Sequence, residues 1–209
     1  LIRWDHAFAR AIPAHQRLNT GNSAGFQVGL GLIKQVELAA IQRVAQVMDR
    51  DEDVLFTHLT SHGAPEGKLS ADFWPLSLDP VTPQMLRTWL DEAGIRQRVI
   101  SVSACYSGTW IEPLAEPGTL VMTAADAEHT SFGCGRKSPL TYFGRAMFDE
   151  QLRHTRSFEQ AHAQARTVIE RREQEAGKRD GYSNPQIRIG ERIREPLARL
   201  EADLGKAGE

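Results

Sequence analysis

The sequence predicts an α/β domain built around a mostly parallel sheet. Three observations carry this. Short apolar runs alternate along the chain with longer segments of helical periodicity, the pattern of strands joined by helices. Two of the runs, Val99-Ile100-Ser101-Val102-Ser103-Ala104 and Thr119-Leu120-Val121-Met122-Thr123-Ala124, read as buried strands. Thr82-Pro83 before one intervening segment and Gly94 after it are a helix start and a helix stop.

Taken in order, Ile33, Val36, Ala40, Ile41, Val44, Val47 and Met48 recur at helical spacing and predict an amphipathic helix over about residues 26–48. The run Asp49-Arg50-Asp51-Glu52-Asp53 ends it, and a strand follows over 54–61. Residues 63–80 lack periodicity and hold three prolines and two glycines, so they read as a loop. Leu86, Trp89, Leu90 and Ala93 share one face of the next helix, and the strand at 99–104 comes after it. A strand over 119–124 is followed by a helix opened by Ser138-Pro139 and running to about 151. Ser157 and Gln160 form a capping box for a helix to about 177. A weak strand over 186–189 and a short helix ending near 200 complete the domain. There is no internal repeat, low-complexity tract or clear domain boundary.

The chain of 209 residues is long enough for one sizeable domain. Its 41% hydrophobic and 25% charged content is that of a globular protein, and a net charge of −2 gives no case for nucleic-acid binding. Basic residues over 166–179 interleave with Glu170, Glu173 and Glu175 and read as a solvated helix face. Two cysteines cannot make a disulfide framework, so Cys134 reads as a small buried filler. No apolar stretch reaches the length of a membrane span, and no signal peptide is visible. Because the first residue is Leu1, a processed or truncated form is expected. The compartment stays open, secreted or periplasmic if an upstream segment has been removed.

The chemistry is carried by two strand ends. Val54-Leu55-Phe56-Thr57-His58-Leu59-Thr60-Ser61 runs into His62-Gly63, and the strand at 99–104 runs into Cys105-Tyr106-Ser107-Gly108. Parallel strands bring their C-terminal ends to one sheet edge, where ligands bind in open α/β folds. Cysteine attacks as thiolate and needs a base or positive charge nearby; His62 supplies one and can later protonate a leaving amine. Gly63 removes a side chain beside His62, so the N–H groups of Gly63 and Cys105 can approach a developing oxyanion. The two residues are 43 apart, near the ~50-residue His-before-Cys offset of one thiol-protease signature.

Two other motifs compete. Gly21-Asn22-Ser23-Ala24-Gly25 matches a serine nucleophile elbow. The polar stretch Gln16-Arg17-Leu18-Asn19-Thr20 before it is a poor central strand, so a loop entering a helix is the better reading. His58 and His62 have the spacing of zinc peptidases, which puts both rings on one face only in a helix. In a strand four residues span roughly 13 Å, and Leu59 stands where a catalytic Glu would be needed. His58 therefore reads as a core or sheet-face histidine. No metal or other cofactor is called for.

With those residues placed, the chain resembles the legumain-like cysteine peptidases, the C13 family of the caspase-like group. The matching pieces are Thr60-Ser61-His62-Gly63 and Val102-Ser103-Ala104-Cys105-Tyr106-Ser107-Gly108. Further pieces are Thr123-Ala124-Ala125-Asp126, Thr130-Ser131-Phe132-Gly133-Cys134, Thr141-Tyr142-Phe143-Gly144 and Ser183-Asn184-Pro185-Gln186. The resemblance covers about residues 53–190. It implies a single caspase-like domain, a three-layer α/β/α sandwich, over 1–209. It also implies a cysteine endopeptidase acting on peptide or protein substrates, with His62 as base, Cys105 as nucleophile and the Gly63 and Cys105 amides as oxyanion hole. Ser131 matches a position lining the pocket for the residue before the scissile bond. Ser103 stands two before the cysteine, where legumain has an acid, and Gly135-Arg136-Lys137 follows Cys134, where a further acid is expected; legumain specificity is therefore not expected. The family's first, central strand, with a residue orienting the histidine near its end, would lie upstream of Leu1. A transamidase or ligase using the same pair, or a catalytically silent binding domain, are the alternatives. The sequence does not fix the oligomeric state.

Overall fold

The computed structural model describes residues 32–70, 72–73, 76–77, 79–133 and 139–206. Six strands and six α-helices follow one another: α1 Leu32–Val47, β1 Leu55–Thr60, β2 Asp72–Phe73, β3 Leu76–Ser77, α2 Pro83–Glu92, β4 Arg98–Ser103, α3 Ile111–Leu114, β5 Thr119–Thr123, α4 Tyr142–Gly144, α5 Phe158–Glu175, β6 Ile187–Ile189 and α6 Arg194–Lys206. The main sheet has the order β1-β4-β5-β6, with β1, β4 and β5 parallel and β6 antiparallel to β5. Among the described residues, β1 pairs on one side only.

Every residue of β4 and β5 is buried, as befits parallel strands covered on both faces. Alternation divides their side chains between two cores. Ile100, Val102, Ala104 and Val121 pack against Ala45 of α1 and Leu86, Trp89 and Leu90 of α2. Val99, Leu120, Met122 and Ala124 pack against Phe143, and against Ala161, Ala165 and Ile169 of α5 and Leu197 of α6. Helices thus cover both sheet faces, giving the expected α/β/α sandwich. Burying each such aliphatic side chain stabilises the fold by about 1.5–3 kcal/mol.

The helix signals differ in outcome. Thr82 caps α2, its hydroxyl accepting from the Met85 N–H at 3.3 Å with Pro83 in the first turn; Gly94 follows in the left-handed region at φ +70°. Ser157 stands at the N-cap of α5 but makes no side-chain cap bond. Thr155 acts instead: its hydroxyl accepts from the Ser157 N–H at 3.2 Å and donates to Gln160 Oε1 at 2.9 Å. The helix expected from Ser138-Pro139 is capped by Thr141, which accepts from the Gly144 N–H at 2.9 Å. It widens into a π turn over Arg145–Glu150. Residues 63–80 are not simply a loop: β2 and β3 pair in antiparallel fashion, and Leu69 bridges both Gly63 and Val81. The last helix, α6, continues past 200 to Lys206.

The start of the first helix at 26–31, the Gly21–Gly25 motif and Cys134 lie outside the described residues.

Candidate active site

The parallel ladder of β1 and β4 pairs Thr57 with Ile100, His58 with Ser101 and Thr60 with Ser103. Each pair is 43 residues apart, the same offset that separates His62 from Cys105. The ladder continues past the strands, the Ser61 N–H donating to the Ser103 carbonyl at 3.3 Å. Register alone therefore carries the histidine and the cysteine to the same level of the sheet edge.

Close packing joins the two strand ends. A Cβ on Gly63 would collide with the Cys105 carbonyl and stand 3.1 Å from Ala104 Cβ. The backbone around His62 is tied down by the Ser70 N–H, which donates to the His62 carbonyl at 2.9 Å, and by the Ala64 N–H, which donates to Lys68. The His62 side chain is exposed, whereas Cys105 is half-buried. Among the described residues, the N–H groups of Gly63 and Cys105 donate to no backbone carbonyl.

After Cys105 the chain turns sharply. Tyr106 adopts φ 55°, ψ 21°, a left-handed conformation that costs energy for any residue with a Cβ. Surrounding bonds hold it there. Its N–H donates to the His129 carbonyl at 2.9 Å, and its carbonyl accepts from Thr109 Oγ1 at 2.7 Å. The turn leads into a short 3₁₀ helix, Ser107–Trp110. Buried Ser107 anchors it, its Oγ accepting from the Ala125 N–H at 3.1 Å. Gly108 has no positive φ; it is glycine because a Cβ would lie 2.5 Å from backbone atoms of Asp126 and Ala127.

The other residues singled out by sequence take distinct places. Ser131 is buried, and both its carbonyl and its hydroxyl lie 3.7 Å from Cys105 Sγ, the thiol donating to the carbonyl. Ser103 is also buried, and its hydroxyl is bonded to that of Thr141 at 2.9 Å. His58 lies in a strand, half-buried, with Nδ1 3.1 Å from Ser101 Oγ and its ring edge-on to Phe148. Residues whose part in the site the sequence reading did not foresee are Tyr106, Thr109 and Gly67, the last at φ +75° with its missing Cβ facing Thr109 Oγ1. The glycine was the only available signal for that contact. No three His, Cys, Asp or Glu among the described residues gather as a metal site. No helix among them is long and apolar enough to cross a membrane.

A thiol, an imidazole and two amides without a backbone partner among the described residues stand at one sheet edge; these are the kinds of group that covalent acyl transfer uses. Comparison with known proteins points the same way. The family model described as the peptidase C13 family matches residues 26–189. No curated protein sequence matches the chain. Among solved structures, that of pro-sf-caspase-1 superposes with a TM-score of 0.51 at 14% identity, covering 74% of this chain and 70% of that one; the likeness is one of fold.

Proposed function

The chain belongs to the peptidase C13 family, and on that premise we propose that it is a cysteine endopeptidase with Cys105 as nucleophile and His62 as base. The observation that carries the proposal is the strand register, which brings His62-Gly63 level with Cys105, where the Gly63 and Cys105 amides have no backbone partner among the described residues.

In the proposed reaction His62 takes the thiol proton and Sγ attacks the scissile carbonyl carbon. The new C–S bond leaves a negative oxygen, held by the Gly63 and Cys105 N–H groups. When the intermediate collapses, the C–N bond breaks and the proton on His62 goes to the departing amine. Water, deprotonated by His62, then opens the thioester, releasing a carboxylic acid and restoring the thiol. Ser131, which touches Sγ, and Ser103, two residues before the nucleophile, are proposed to line the pocket for the residue before the scissile bond; both are uncharged, which favours neutral over basic residues there.

The deciding experiment profiles a peptide library with wild type and Cys105→Ala. Loss of triad members in comparable enzymes lowers kcat by about 10⁴–10⁶, so cleavage in the wild type should vanish in the variant. Equal cleavage by both proteins would refute the reading. A non-catalytic binding domain is the second reading, favoured by one observation: the thiol's contacts are with Ser131 rather than with an imidazole.

A further inference from the structure

We propose that Asp126 and Asn184 form a positioning pair that holds the turn bearing Cys105 in shape. The proposal rests on the reading of Cys105 as nucleophile.

Asp126 lies where β5 leaves the sheet and is bonded to both sides of the site. Its Oδ1 accepts from the N–H groups of Glu128 and His129 at 2.9 and 3.0 Å and from His129 Nδ1 at 2.8 Å. Its Oδ2 accepts from Asn184 Nδ2 at 3.0 Å. Its backbone carbonyl accepts from the Gly108 N–H at 3.3 Å, and its own N–H donates to the Ser183 carbonyl at 2.8 Å. The carboxylate therefore shapes the 126–131 turn. That turn delivers one contact to the residue after the nucleophile, the His129 carbonyl that receives the Tyr106 N–H, and one to the nucleophile itself, Ser131 against Sγ. Burial alone would raise the Asp126 carboxyl, but its donors, Glu128 first, outweigh it and hold the group below its ordinary value.

Asn184 is fixed from behind. Its Oδ1 accepts from Arg166 of α5 at 2.8 Å and its carbonyl accepts from Gln186 Nε2 at 2.7 Å. With the oxygen committed to Arg166, the amide nitrogen must face Asp126. Asn184 has φ 52°, and Tyr106 and Asn184 are the two non-glycine residues at positive φ among those described. Both belong to this one chain of contacts. Strained backbone of this kind persists only where surrounding bonds over-determine it, and it concentrates at functional sites.

A swap tests the pair. Asp126→Asn keeps an acceptor for the turn but sets an amide NH₂ against that of Asn184, which cannot turn over without losing Arg166. Adding Asn184→Asp restores a donor facing an acceptor and leaves Arg166 paired. In the full chain, Asp126→Asn should speed hydrogen exchange at the Tyr106 amide about tenfold while β4 and β5 amides stay unchanged. It should lower kcat for peptide cleavage by about 10²-fold with KM within about threefold. The swap should return both to near wild type. If Asp126→Asn does not fold, Asn184→Ala, which removes the bonds to Asp126 and from Arg166, is read in the same way beside Arg166→Ala, which removes the second alone. An unchanged Tyr106 amide, a uniform rise across the sheet, or a swap that rescues nothing would each overturn the pair. Absence of cleavage by the wild type would sink the peptidase reading, while the Tyr106 amide still decides the pair.

Discussion

Gly63 and Cys105 are in backbone contact across two strand ends: the Cα of one lies so close to the carbonyl oxygen of the other that no Cβ fits between them. The glycine is required by packing, not by dihedral angle, since Gly63 is not among the positive-φ residues. Gly63→Ala must push the strand ends apart. Overpacking of this kind costs about 1–3 kcal/mol, and the displaced amide would leave the place proposed for the oxyanion. We expect a lower urea midpoint and loss of peptide cleavage together. A variant of wild-type stability would show that the strand ends separate without cost.

Ser131 touches the Cys105 sulfur, and on the proposed reading its hydroxyl also meets substrate. Its hydroxyl and its carbonyl make separate contacts, so Ser131→Ala removes one and leaves the other. A lost hydrogen bond to substrate is worth about 0.5–1.5 kcal/mol, which would raise KM by about two- to tenfold with kcat little changed. A fall in kcat at constant KM would instead assign the hydroxyl to the thiol, and steady-state kinetics separates the two.

Acid should weaken the fold before it protonates ordinary carboxylates. His162 is 2% exposed on the sheet-facing side of α5, and its Nε2 has no partner among the described residues. Burial first, then the nearby Arg166 charge, push this imidazole down from 6.5 to about 4, against a contact with the Gln186 backbone. Above pH 6.5 neither native nor unfolded chain is protonated there, and stability is unaffected. Between 6.5 and about 4 the unfolded chain binds the proton and the native one does not, so stability declines as pH falls, by roughly 3 kcal/mol in all. Glu173, raised by burial, has the opposite sign: its native form takes a proton first and offsets part of the loss. Urea unfolding at about pH 7.5 and about pH 4.5 should show the decline, and His162→Leu should flatten it. Equal declines in both proteins would place the effect elsewhere.

Much of this was legible in the sequence because it is local. β4 and β5 announce themselves through apolar runs, since strands buried on both faces admit little else. The 43-residue spacing was legible as a number, but its meaning as a strand register appears only once β1 and β4 are paired. Where local signals competed, sequence chose wrongly. Thr155 makes the side-chain bonds at the start of α5 that were expected of Ser157, because a hydroxyl's use depends on which donors the backbone brings near. The bond from Asn184 to Asp126 spans 58 residues, and no pattern of period 2 or 3.6 encodes a contact of that range.

The contact between Gly67 and Thr109 couples the loop after His62 to the turn after Cys105. Gly67 is buried at φ +75°, and a Cβ there would stand 3.0 Å from Thr109 Oγ1 and 3.4 Å from Thr109 Cβ. That same hydroxyl holds the Tyr106 carbonyl at 2.7 Å. Gly67→Ala therefore carries two penalties. The left-handed backbone costs about 1 kcal/mol once a Cβ is present, and the methyl presses on the hydroxyl that braces the Cys105 turn. Thr109→Ala removes the pressed atom but also the brace. If the two segments act as one unit, the double variant should be less destabilised than the sum of the singles by about 0.5–1 kcal/mol, the coupling seen for residues in contact. A double-mutant cycle from urea midpoints measures it directly. Strict additivity would mean that the His62 loop and the Cys105 turn are joined only at Gly63.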